Sequence, residues 1–94
     1  AWLSPAFDRD TCYIAVHQYE GMAWENYFRA IEQVMLGFGG RPHWGKRHFQ
    51  TAATLASRYP RWSEFQDLRA KLDPRGLFSN PYTDRVLGPI ASRR

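Results

Sequence analysis

The residues of this chain whose types and spacing could do chemistry are concentrated in one stretch. In Arg41-Pro42-His43-Trp44-Gly45-Lys46-Arg47-His48, three cations surround two imidazoles. A lysine on a loop can bind a substrate oxygen or steady a developing anion, and its pKa falls when it is buried. Pro42 holds Arg41 extended, and Gly45 admits conformations that other residues resist. The Trp44 indole is placed to anchor the loop while Lys46 projects. A solvated basic loop whose tryptophan fills a gap accounts for the same residues equally well.

A second group is Tyr13, His17 and Tyr19, which alternate on one side of an extended stretch. His17 is the side chain most easily tuned for proton transfer near neutral pH, and beside Tyr19 it could line a polar pocket. A core histidine satisfied by one hydrogen bond is the competing explanation. A metal reading of His43 and His48, with or without His17, has little support. No Cys, Asp or Glu lies near the pair, and a spacing of five suits no common zinc pattern, so no metal is expected. There is no Gly-x-Ser-x-Gly elbow. Gly37-Phe38-Gly39-Gly40 follows a helix rather than a strand and lacks the later glycine of a phosphate cradle.

These side chains need elements to place them. Residues 1–10 read as an irregular lead-in, and Thr11 to Tyr19 as a strand rich in β-branched and aromatic residues. Gly21 ends it. A helix is expected over Met22–Leu36, where Trp24, Tyr27, Phe28, Ile31, Val34, Met35 and Phe38 form one apolar stripe and Glu25 pairs with Arg29 at i,i+4. Thr51 can cap a short helix over Ala52–Arg58. Another helix follows over Arg61–Leu72, with Trp62, Phe65, Leu68 and Leu72 facing a core. Asp73-Pro74-Arg75-Gly76 is a turn, and Leu77–Leu87 reads as an irregular aromatic tail. The expected class is α+β: one clear strand plus about three helices, mostly helical in isolation. A lone strand leaves its edges unpaired, which is what remains when a larger α+β domain is cut.

Composition bounds the partners. With 94 residues there is room for one domain at most. Aromatic residues make up 16%, which argues against disorder. The net charge of +4 includes Arg93 and Arg94 at the end, and it permits a small basic helical module binding nucleic acid or an acidic protein. The basic residues do not line one helix face, as a groove-reading helix requires. Cys12 is the only cysteine, which excludes an internal disulfide and fits a reducing, cytoplasmic location, with peripheral attachment to a membrane compatible. Neither a membrane span nor a signal peptide is expected.

Three ordered motifs carry a resemblance: Arg-Pro-His-Trp-Gly-Lys-x-His (41–48), Tyr59-Pro60-x-Trp62-x-x-Phe65, and Leu72-Asp73-Pro74-x-Gly76-x-Phe78-x-Asn80-x-Tyr82. Together with the strand–helix unit before them, they resemble the end of the aldonolactone oxidase family. That family comprises gulono-, galactono- and arabinono-1,4-lactone oxidoreductases and alditol oxidases, and the wording is most similar to its actinobacterial gulonolactone dehydrogenase-like members. The resemblance implies a vanillyl-alcohol-oxidase-type flavoprotein that oxidises a sugar lactone or polyol by hydride transfer to FAD. It implies that residues 1–94 belong to the C-terminal part of a substrate (cap) domain, with FAD bound mainly by an N-terminal domain outside this chain. Residues 1–50 would form a strand–helix–active-site-loop unit, and 51–94 a helical tail packing back on that FAD domain. No nucleic-acid partner is then expected. Lys46 matches the family lysine that reaches the substrate hydroxyl, and His17 and Tyr19 match strand positions lining the substrate pocket. The family often has a smaller hydroxyl residue where Tyr19 stands. His43 would support the lysine or the flavin edge.

Overall fold

The periodicity of Trp24 to Phe38 produces a helix, α1 (Glu25–Gly37), stopped by a Schellman cap. The Gly39 N–H reaches the Leu36 carbonyl at 3.0 Å and the Gly40 N–H the Met35 carbonyl at 2.8 Å. Gly39 takes a φ of +73°. A Cβ on Gly40 would lie 2.6 Å from the Met35 oxygen, so the tight exit requires glycine there. In this computed structural model residues 1–90 are described; Arg93 and Arg94 lie outside the described residues.

Three further helices follow: α2 (Ala52–Leu55), which runs into a 3-10 turn over Ala56–Arg58, then α3 (Trp62–Leu72) and α4 (Pro81–Leu87). The Thr54 hydroxyl closes the start of α2 by accepting the Thr51 N–H at 2.9 Å. Asp73–Gly76 forms the expected turn, with the Gly76 N–H on the Asp73 carbonyl. The Asp73 carboxylate then accepts from the Leu77 and Phe78 amides. Helix α4 corrects the expectation of an irregular tail. Asn80 caps it by accepting from the Thr83 N–H at 2.9 Å, and Pro81 occupies the first helical position. Its far end is closed by α3: the Gln66 amide donates to the Leu87 carbonyl and Arg69 to the Gly88 carbonyl.

The core is small. Leu55, Tyr59, Trp62 and Val86 pack together, with Leu3, Trp44, Ala52, Ala56 and Leu87 against them. Much apolar surface stays outside it. The expected core face of α3 is therefore corrected in part. Trp62 is buried, but Leu68 and Leu72 are exposed and Phe65 is half-buried. Along α1, Tyr27, Val34 and Phe38 face solvent. Arg29 lies over the Phe49 ring, 3.8 Å from its centroid, rather than pairing with Glu25.

The predicted strand is also corrected. No strand forms among the described residues, and 11–19 runs without regular structure. A strand is defined by its ladder, and no described segment pairs with this one to provide it.

Candidate functional site

The loop from Arg41 to His48 is fixed at both ends, and each fastening explains a residue. The Arg41 guanidinium donates to the carbonyls of Phe7 at 2.8 Å and Arg58 at 2.7 Å, with longer contacts to Ser4 and Pro5. It also lies over the Tyr59 ring, and burial among these groups holds its pKa below the usual arginine value. Arg41 is thus tied to the backbone of the lead-in rather than offered to a ligand. The Trp44 indole donates to the Leu3 carbonyl at 2.7 Å and packs on the core, as its role of anchor requires. Between these points the chain turns, with the Lys46 N–H on the His43 carbonyl and His43 Nδ1 accepting the Gly45 N–H. Lys46 itself is exposed.

Beyond the turn, the chain is stitched to α1 and α4. Arg47 lies over the Trp24 ring, which stacks with Phe49. The Glu32 carboxylate of α1 accepts from the Phe49 N–H and from the Gln50 amide, the latter at 2.7 Å. His48 is buried. Its Nδ1 accepts the Gln50 N–H at 3.1 Å, so in the neutral ring Nε2 carries the proton and donates to the Tyr82 hydroxyl at 2.9 Å. That hydroxyl donates onward to the Trp44 carbonyl at 2.5 Å, and Arg85 donates to the His48 carbonyl.

Burial, helped by the nearby Arg85 cation, pushes the His48 pKa below the ordinary value near 6.5, with Glu32 opposing. A depressed folded pKa means that the unfolded chain takes up the proton first. Stability contributed by neutral His48 is therefore complete above about pH 6.5 and is lost as pH falls from there through the folded value. Urea midpoints taken from pH 7.5 down to pH 5 should fall, and His48→Gln should flatten that part of the curve.

A cavity of about 460 Å³ lies between the loop, α1 and residues 13–17. Lys46, His43 and His17 all line it, together with Glu32, Gln50 and apolar walls from Tyr13, Ile14, Val16 and Ile31. Tyr19 is not brought to it: the residue is 82% exposed and outside the lining. Glu32 and Gln50 were not singled out by the sequence, and His48 and Tyr82 were named only within motifs, not as partners of each other. Their long-range partnerships span 17 to 38 residues, and spacing along the chain carries no signal for that. No group of three metal-ligating side chains occurs among the described residues.

The arginines of the loop, and several elsewhere in the chain, are engaged within the protein. Arg9, Arg41, Arg58, Arg69 and Arg85 bind backbone carbonyls, while Arg29 and Arg47 lie on rings. The charge is largely internal fastening; of the loop's exposed polar side chains His43, Lys46 and Arg47, Arg47 is laid on the Trp24 ring.

A lysine projecting from a pinned Pro-His-Trp-Gly turn, followed by the Asp73–Tyr82 segment, belongs to a recognised class. The chain matches the D-arabinono-1,4-lactone oxidase family over residues 1–86 and belongs to it. Members of this family are flavin-dependent oxidoreductases.

Among individual relatives, the chain is 63% identical over 89 residues to the L-gulono-1,4-lactone dehydrogenase of Mycobacterium tuberculosis, covering 95% of this chain and 21% of that protein. It is 42% identical over 88 residues to the mouse L-gulonolactone oxidase, covering 89% of this chain and 20% of that one. With the alditol oxidase of a Streptomyces strain it shares 38% identity over 93 residues, 92% of this chain and 21% of that protein. The chain therefore spans about a fifth of the length of these relatives. No solved structure matches it. No helix among the described residues is long and apolar enough to cross a membrane.

Proposed function

We propose that this chain is the C-terminal part of an FAD-dependent oxidoreductase that oxidises a sugar 1,4-lactone or an alditol, and that it supplies part of the substrate site. The observation carrying this reading is the convergence of Lys46, His17 and His43 on one cavity in a member of this family. The cavity wall suits the edge of a flavin ring: an exposed ammonium and an imidazole stand beside apolar Tyr13, Ile14 and Val16. It does not suit the nucleotide phosphates, because the chain has no glycine-rich cradle. Most of FAD is accordingly held by sequence outside this chain. Bound flavin supplies the hydride acceptor. Lys46 holds the substrate hydroxyl oxygen, His17 takes its proton as the carbonyl forms, and His43 supports Lys46 or the flavin edge. Tyr19 joins the substrate pocket only if 11–19 straightens as a strand.

The same reading assigns the uncovered surfaces. Residues 11–19 pair as a strand within a complete α+β substrate domain. An apolar groove of about 310 Å³ lined by Phe65, Leu68, Leu72, Phe78 and Leu87 packs against the FAD domain. The location is cytoplasmic, or peripheral to a membrane. The test uses the full-length protein: anaerobic addition of sugar 1,4-lactones and alditols should bleach the flavin absorbance. A loaded flavoprotein that no member of either class bleaches would overturn the assignment.

A further inference from the structure

We propose that His48 is a positioning residue for Lys46, acting through Tyr82 to hold the turn that presents the lysine. The inference rests on the role given to Lys46 above, but its geometry is independent of that role. His48 is 5% exposed and does not approach a ligand from solvent. Both of its ring nitrogens are used: one accepts the Gln50 N–H and the other donates to Tyr82. The Tyr82 hydroxyl in turn donates to the carbonyl of Trp44, two residues before Lys46.

The direction of each bond follows from the first. A backbone N–H can only donate, so Nδ1 must accept and Nε2 must carry the hydrogen. The Tyr82 oxygen receives that hydrogen and spends its own on the Trp44 carbonyl, which can only accept. A single arrangement of protons satisfies every member. It exists only while His48 is neutral, since an Nδ1–H would confront the Gln50 N–H. The charged and titratable groups facing the ring are Arg85 and Tyr82 from α4 and Glu32 from α1, with the Trp44 edge on the loop side. Arg85 opposes protonation and Glu32 favours it, and burial adds to the former.

The relay closes the loop from a distance. Among the described residues, His43 and Gly45 hydrogen-bond only within the turn, and Trp44 is anchored on its indole side by Leu3. Among the described residues, Tyr82 adds the one side-chain hydrogen bond that the Trp44 carbonyl receives. Helix α4 thereby acquires a function beyond packing: its Asn80 cap and Pro81 start set Tyr82 facing the loop.

The test is made in the full-length flavoprotein with two readouts. The first is hydrogen exchange of amides across 43–48, which reports on the turn whether or not the protein is turning over. Tyr82→Phe removes one oxygen and should speed that exchange by about 10-fold. His48→Asn keeps an acceptor for Gln50 but cannot reach Tyr82, and it should do the same. The double variant should be no faster than either single one, because all three break one relay. His48→Gln can place an amide donor near the old Nε2 position, and it should restore exchange toward the original rate while removing the acid-pH loosening. The second readout is the rate of flavin reduction, expected to fall by about the same factor in Tyr82→Phe and His48→Asn.

Unchanged exchange at 43–48 in Tyr82→Phe overturns the proposal. So does exchange that rises equally across α3 and α4, which marks a general structural role, or additive effects in the double variant. If His48→Asn does not fold, Tyr82→Phe alone decides. Absence of flavin reduction by any lactone or alditol in the unaltered protein refutes the enzyme assignment instead, and the exchange readout still decides the relay.

Discussion

Lys46→Ala is expected to slow flavin reduction by a lactone or alditol roughly 100- to 1,000-fold, the range found when one electrostatic donor is removed from an active site. Flavin content and unfolding midpoint should stay near those of the unaltered protein. The separation of the two effects follows from where the residue stands. Lys46 is exposed, and its own side chain makes no hydrogen bond to the described protein. The turn that carries it is held by its neighbours, so truncating the side chain removes chemistry without loosening the loop. Lys46→Arg should recover little, since a planar fork does not replace a compact ammonium at the end of a four-carbon stem. Stopped-flow reduction under anaerobic conditions, with flavin content read from the absorbance ratio, separates these effects. A reduction rate within a few-fold of the original would remove Lys46 from the site.

What the sequence disclosed and what it hid divide along physical lines. Helices α1 and α3 were legible because their apolar residues recur at helical spacing and their glycine or turn exits are local signals. The anchoring of Trp44 and the projection of Lys46 were legible for the same reason: both depend on a short motif. Helix α4 was hidden by its composition, since an aromatic run without clear periodicity masked the Asn80-Pro81-x-Thr83 start that defines it. The strand at 11–19 fails for a different reason. β-branched and aromatic residues fit an extended chain, but only a neighbouring strand makes them a sheet. Leu68 and Leu72 are the helical counterpart. Their spacing marks a buried face, and within these residues nothing buries it.

The relay through His48 and Tyr82 could not be read at all. Its members sit 34 residues apart, and each has a bland local explanation, one as a basic-loop histidine and the other as a tail aromatic. The site is therefore half local and half global. The motif provides the lysine; long-range hydrogen bonds decide how firmly it is held.

Arg41 shows the consequence most sharply, because the sequence presents it as one cation of a basic loop and the structure makes it a clamp. Arg41→Lys is expected to cost about 2–3 kcal/mol of stability, the contribution of one or two hydrogen bonds from a charged donor, as read from urea midpoints. Its Nε and Nη1 reach carbonyls on two separate segments, Arg58 on one side and Phe7 with its neighbours on the other. A lysine ammonium offers a single point and no flat face for Tyr59. The substitution usually regarded as conservative should therefore be nearly as damaging as Arg41→Ala. Arg47→Lys provides the contrast, since Arg47 is exposed over Trp24 and its loss should cost no more than about 1 kcal/mol. Were Arg41 instead a substrate ligand, Arg41→Lys would raise KM and leave the unfolding midpoint where it was. The expected pattern is the reverse: lower stability, with the KM of the folded fraction nearly unchanged.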